Sequence, residues 1–189
     1  GLEMEECRLL ERGDHAHFLT RRFDRKGDDK LHMLSLCGLA HFDFNNPAAY
    51  SYEMAFKTMR QLKLSYHNAE ALFRRMVFNV KAFNRDDHTK NLAFLMNKKG
   101  EWRLSPSYDI TFPFDERSRW LARHQMSVNG KRENITDDDL LNVAKSINIK
   151  KPMAIIDEVK GAVAMWEKFA AEAGVEGKKM QYIKDILHR

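Results

Sequence analysis

Arg85-Asp86-Asp87-His88-Thr89-Lys90-Asn91 lies between two apolar stretches, ALFRRMVFNVKAF (71–83) and LAFLM (92–96). Two carboxylates, an imidazole, an ammonium and an amide within seven residues make either a solvated turn or a catalytic loop. The flanks frame that choice. Upstream, Leu72, Phe73, Met76, Val77, Val80 and Phe83 recur at helical spacing, which predicts a largely buried helix stopping at Asn84. Downstream, NLAFLMNKKGEWRL predicts two short strands around a Lys99-Gly100 turn, followed by SPSYDITF as strand or loop.

Further out, ECRLLE and HAHFLTRRF flank Arg12-Gly13-Asp14 and predict an N-terminal hairpin. His32–His41 and Ala48–Leu64 carry the apolar spacing of amphipathic helices, with Pro47 in a first turn. Thr136 is placed to cap DDDLLNVAKSI, one long helix is expected from Pro152 to Ala173 with Gly174 as its stop, and a last helix runs to His188. The expected fold is α+β and mainly helical, with a short N-terminal β-hairpin and a central β-hairpin carrying polar loops.

A chain of 189 residues that is 43% apolar can bury a sizeable core. Its net charge of +5, from 32 basic and 27 acidic residues, comes from basic pairs scattered among acids. That pattern gives mild attraction to phosphates and is not the mark of a nucleic-acid-binding arm. Cys7 and Cys37, expected to be half-buried, form neither a disulfide framework nor a metal site. No apolar run approaches the roughly 20 residues that span a bilayer, and the acidic N-terminus has no signal core, so a cytoplasmic protein without membrane contact is expected. Met153, Met165 and Trp166 fall on helical periodicity and are expected in the core. Hydrolase-elbow, dinucleotide and Walker motifs are absent from the sequence.

Phosphoryl transfer needs one carboxylate to orient the attacking hydroxyl, and an amide plus a second carboxylate to hold magnesium against the nucleotide phosphates. Protein kinases place the first carboxylate and the metal-binding Asn five residues apart. Asp86 and Asn91 have that spacing, and Asp109 follows beyond the predicted hairpin. Asp and Asn are equally at home in a solvated turn, so the pair alone decides nothing. A buried helix before it, a hairpin after it and an Asp beyond favour the catalytic loop.

Three ordered segments resemble the HipA-like serine/threonine kinase toxins: Asp86-Asp87-His88-Thr89-Lys90-Asn91, Pro106-Ser107-Tyr108-Asp109, and the hinge-like HFLTRRFDR (17–25). KLHMLSLCGL and YSYEMAFKTMRQL between them are also family-like. The resemblance implies the C-terminal lobe of a protein-kinase-like fold, with residues 1–26 as the last N-lobe strands and hinge and 27–189 as the helical catalytic lobe. It makes Asp86 the catalytic base and Asn91 and Asp109 the Mg2+ ligands. It places His88, Lys90 and Tyr108 at the phosphates or adenine of ATP, backbone groups of Arg21 and Phe23 at the adenine, and Asp24 near the ribose. Asp87 is expected to cap the loop or face solvent, and His88 fits a structural hydrogen-bonding role as well as a ligand role.

The family's phosphate-covering loop and lysine strand would lie upstream of Gly1, so weak nucleotide binding and little turnover are expected of these 189 residues alone. The resemblance further implies a protein substrate such as an aminoacyl-tRNA synthetase, and a helix-turn-helix antitoxin through which DNA is met only indirectly. Two other readings share these residues: a non-catalytic kinase-like module that binds an antitoxin–DNA complex, and a phosphotransferase acting on a small molecule or lipid.

Overall fold

The computed structural model describes residues 1–188. β1 (Cys7–Arg12) and β2 (His15–Thr20) form the predicted hairpin, with Gly13 at φ +58° in the turn. Leu9 faces Phe18 across it, yet both stay open to solvent, at 60% and 67% exposure. A minimal second hairpin joins β3 (Arg25–Lys26) to β4 (Asp29–Lys30). β5 (His32–Ser35) pairs antiparallel with β6 (Ala93–Met96), which pairs on its other edge with β7 (Trp102–Leu104). The central hairpin is therefore the inner and outer part of a three-stranded sheet.

That sheet corrects one expectation. His32–Ser35 is strand, and only α1 (Leu36–Leu39) is helical, started by Ser35 Oγ accepting from the Gly38 N–H. β6 is buried along Ala93–Leu95, so its backbone groups need partners on both edges. Pairing with β6 overrides the helical spacing of HMLS.

Pro47–Ala49 is a separate 3-10 turn, and α2 (Tyr52–Gln61) begins only after Ser51, whose Oγ accepts from the Met54 N–H. α3 (Tyr66–Lys81) presents the predicted stripe: Leu72, Phe73, Met76 and Val77 are fully buried. They pack with Phe56 and Met59 of α2, Phe94 of β6, Leu140 of α4 (Asp137–Ser146) and Ile156 of α5 (Pro152–Ala164). Each large apolar side chain moved out of water there contributes about 1.5–3 kcal/mol.

The single helix expected over 152–173 is broken at Met165 into α5 and α6 (Trp166–Glu172). The break sets α6 against α7 (Gly177–Leu187), where the Trp166 indole N–H donates to the Met180 carbonyl at 3.0 Å. Met153 and Met165 lie at the surface, 43% and 44% exposed, and not in the core. Cys7 is exposed and Cys37 buried, both as free thiols.

α4 starts on a capping box: Thr136 Oγ1 accepts from the Asp139 N–H, and Asp139 Oδ2 accepts from the Thr136 N–H. Asn129 Nδ2 and Lys131 Nζ, each at 2.9 Å, add to the buried carboxylate. Burial pushes this carboxyl up, but the bonds from Thr136, Asn129 and Lys131 more than offset it and hold it below the ordinary carboxylate range. A depressed folded-state value gives stability that is complete above the unfolded carboxyl's value of about 4 and disappears as pH falls further. Asp139→Ala should therefore lower stability by about 2 kcal/mol at pH 7. In urea titrations the gap to the unaltered chain should narrow below pH 4.

Candidate functional site

α3 delivers the polar loop. Its last turn closes with Phe83 in the left-handed region at φ +54°, and the Asn84 N–H reaches back to the Asn79 carbonyl at 3.0 Å. The loop is then strapped to α1, whose first-turn N–H groups lack partners within the helix. The Leu36 N–H donates to the Leu92 carbonyl at 2.7 Å and the Cys37 N–H to the Thr89 carbonyl at 3.1 Å.

The two adjacent aspartates have opposite surroundings. Asp87 neither caps the loop nor faces solvent: it is 2% exposed. Its Oδ2 accepts from Tyr52 Oη at 2.9 Å and from His124 Nδ1 at 3.0 Å, and its Oδ1 from the Gln125 N–H at 2.7 Å. Tyr52 Oη in turn accepts from Asn79 Nδ2, and Asn79 Oδ1 from Asn84 Nδ2, so a buried chain of donors runs from α3 through α2 to Asp87. Burial first and the Asp87 charge second push the Tyr52 phenol well up, which keeps it a donor. Asp87 thus pins the loop to α2 and to the segment 124–125.

Asp86 has a side chain 38% exposed, and its Oδ1 lies 3.7 Å from His88 Nε2. Burial raises its carboxyl above the usual range; His88 opposes that shift, while Asp109 and Asp87 add to it. Asn91 bridges the rest of the predicted set. Its Nδ2 donates to the Asp86 carbonyl at 3.0 Å and to Asp109 Oδ2 at 2.8 Å. Asp109 has φ +54°, a conformation few residues other than glycine adopt and one that aspartate tolerates. Asp86, His88, Asn91 and Asp109 are therefore brought together.

With Asn91 Nδ2 committed, Asn91 Oδ1 and Asp109 Oδ1 accept no hydrogen bond from the described residues. One carboxylate and one amide oxygen are hard donors that fit Mg2+, which keeps several waters and completes its shell with phosphate oxygens. The residues present can hold that ion.

Tyr108 joins the loop to the segment that follows β2: its Oη donates to the Lys90 carbonyl at 2.6 Å and its ring lies 5.7 Å from that of Phe23. Burial pushes its phenol up to about 12, against the Arg75 charge, so it donates at neutral pH. Arg21 and Asp24 stay apart from this cluster. Arg21 pairs with Glu6, while Asp24 takes a bidentate pair from Arg22 at 2.8 and 2.6 Å and a further contact from Arg25. The Arg22 hydrogen bond is the largest cause holding the Asp24 carboxyl low.

Several supporting residues were not singled out from the sequence. Arg75 is buried within α3 and donates to the Ser105 carbonyl at 2.6 Å, holding the turn that leads to Tyr108-Asp109. The Ser107 N–H, bonded to the Glu3 carbonyl at 2.7 Å, ties that turn to the N-terminal segment. Polar residues inside the apolar stripe, Arg75 and Asn79, were the available hint. A cleft of about 1060 Å³ is lined by Arg85, Phe114, His124 and Trp166 among others, and none of the predicted site residues lines it. Donor chemistry, not cavity size, marks the site.

The HipA-like C-terminal domain model matches residues 1–166. No curated protein matches the sequence. Among solved structures, 24 chains match. One is HipA in a complex of HipA, HipB and operator DNA from a toxin–antitoxin system of Shewanella oneidensis MR-1, at TM-score 0.77 and 13% identity. The alignment covers 99% of this chain and 50% of that one, so the chain spans about half the length of the HipA it matches. At that identity the likeness is one of fold.

Proposed function

The chain belongs to the HipA-like C-terminal domain family, and from that premise we propose that it is the catalytic lobe of an ATP- and Mg2+-dependent serine/threonine protein kinase of the toxin type. The observation that carries the reading is the Asn91 amide, bonded at once to Asp109 and to the Asp86 backbone carbonyl, which draws the candidate base and the two candidate ligands into one cluster. Asp86, partly exposed and with a raised carboxyl, accepts the proton of the acceptor hydroxyl as that oxygen attacks. Asn91 Oδ1 and Asp109 hold the cation. Bound Mg2+ supplies charge neutralisation at the phosphates. Lys90 and His88 add positive or hydrogen-bonding groups beside them, and the Phe23 backbone, tied to the loop through Tyr108, reads the adenine.

The open β1–β2 hairpin supports a lobe that continues elsewhere, because an isolated pair of strands with exposed Leu9 and Phe18 is marginal in water. On this reading further strands cover it and carry a phosphate-binding lysine. The assembly printed for the Shewanella HipA motivates the partner proposal: a helix-turn-helix antitoxin, with DNA reached through it, in the cytoplasm. The acceptor is a protein hydroxyl, with an aminoacyl-tRNA synthetase as the candidate. No described helix is long and apolar enough to cross a membrane.

Calorimetry of this chain with millimolar Mg·ATP tests the site. Weak binding that needs Mg2+ and is lost in Asp109→Ala is the expected result. Absence of heat with the unaltered chain would favour the non-catalytic module.

A further inference from the structure

Phe44 belongs to none of the motifs that mark the loop, yet it touches two of its polar residues. The Lys90 ammonium stands 3.3 Å above the centre of the Phe44 ring. The His88 ring meets the same phenyl edge-to-face, at 5.2 Å and 86°. His88 in turn lies 3.7 Å from Asp86. One aromatic ring therefore gathers the cation and the imidazole beside the candidate base.

The segment that carries Phe44 is anchored locally. Phe42 stacks on Tyr50 at 4.2 Å and 16°, the Asp43 N–H donates to Tyr50 Oη, and the Asn45 N–H donates to Asp43 Oδ1 at 3.0 Å. Phe42 joins the edge of the core, whereas Phe44 remains 38% exposed. Burial alone does not explain a phenyl held at that place.

Lys90 is exposed, and a free lysine side chain has much rotamer freedom to lose when it meets a phosphate. An aromatic face attracts an ammonium through the ring quadrupole and leaves the N–H groups on the far side free to donate. We propose that Phe44 is a positioning residue for phosphate capture, its ring holding the Lys90 ammonium beside the Asp86–His88 pair so that an incoming nucleotide phosphate meets an ordered cation. The inference rests on the nucleotide-binding reading of the loop and adds to it a residue from a different part of the chain.

The test uses this chain with its lysines reductively methylated with 13C, which preserves their charge, and with the Lys90 signal assigned by its loss in Lys90→Arg. In the unaltered chain that signal should be ring-current shifted away from the exposed lysines, and in Phe44→Leu it should return to them. Titrating Mg·ATP into the unmethylated protein of each kind should give a dissociation constant about two- to fivefold higher for Phe44→Leu. Phe44→Trp, which offers the stronger cation-binding face, should restore or improve on the original value, a rescue that simple loss of packing would not give. An unshifted Lys90 signal in the unaltered chain overturns the proposal. Equal affinity in Phe44→Leu alongside weakened affinity in Asp109→Ala overturns the role of Phe44 alone, whereas no Mg·ATP binding by the unaltered chain overturns both readings.

Discussion

Asp87→Ala is expected to destabilise the domain by about 3–5 kcal/mol, because it strips three buried donors of their acceptor at once. Tyr52 Oη, His124 Nδ1 and the Gln125 N–H have no water to turn to at this depth, and the Asn84–Asn79–Tyr52 chain loses its terminus. For a domain of this size that loss corresponds to roughly 10 °C in melting temperature. Asp87→Asn should fall between, since an amide can still accept but also brings two N–H groups into a pocket of donors. Asp86→Asn, one residue earlier, should shift the melting point little in either direction. It removes a charge that burial and the neighbouring Asp109 and Asp87 disfavour. A denaturation series in which both substitutions cost the same would refute the division of labour between the two carboxylates.

That division was half legible in the sequence. The base-to-amide spacing of Asp86 and Asn91, the stripe on α3 and the turn around Gly100 are local patterns, and each appears where the spacing puts it. The role of Asp87 depends on Tyr52, His124 and Gln125, which lie 35 to 38 residues away in the chain. No local pattern records such partners. The same holds for His32–Ser35, whose apolar spacing suits a helix but whose state is set by the buried edge of β6. Met165 shows the converse limit: the helical spacing continues through it, while the docking of Trp166 on Met180 bends the chain there. Candidate residues defined by their own chemistry could be picked out from sequence, and those defined by what they brace could not.

The larger effect concerns activity. On the proposed kinase reading, in a protein that joins this domain to a nucleotide-covering lobe, Asp86→Ala should lower phosphate transfer by about 10²–10⁴-fold, the usual contribution of a positioned general base. Asn91→Ala and Asp109→Ala should each cost about 10²–10³-fold, as when a single electrostatic donor is removed from a reacting centre. The three substitutions should also differ in kind. Losing Asp86 leaves both cation ligands in place, so Mg·ATP affinity should hold while turnover collapses. Losing Asp109 removes a ligand and one partner of the Asn91 amide together, so affinity for Mg·ATP should fall along with turnover, and raising Mg2+ should recover part of it. Combining Asp109→Ala with Asn91→Ala should cost less than the product of the single effects, because one hydrogen bond ties the two ligands. Radiolabel transfer by that two-lobe protein reads all of these, and undiminished transfer in the three single variants would remove Asp86, Asn91 and Asp109 from the proposed mechanism.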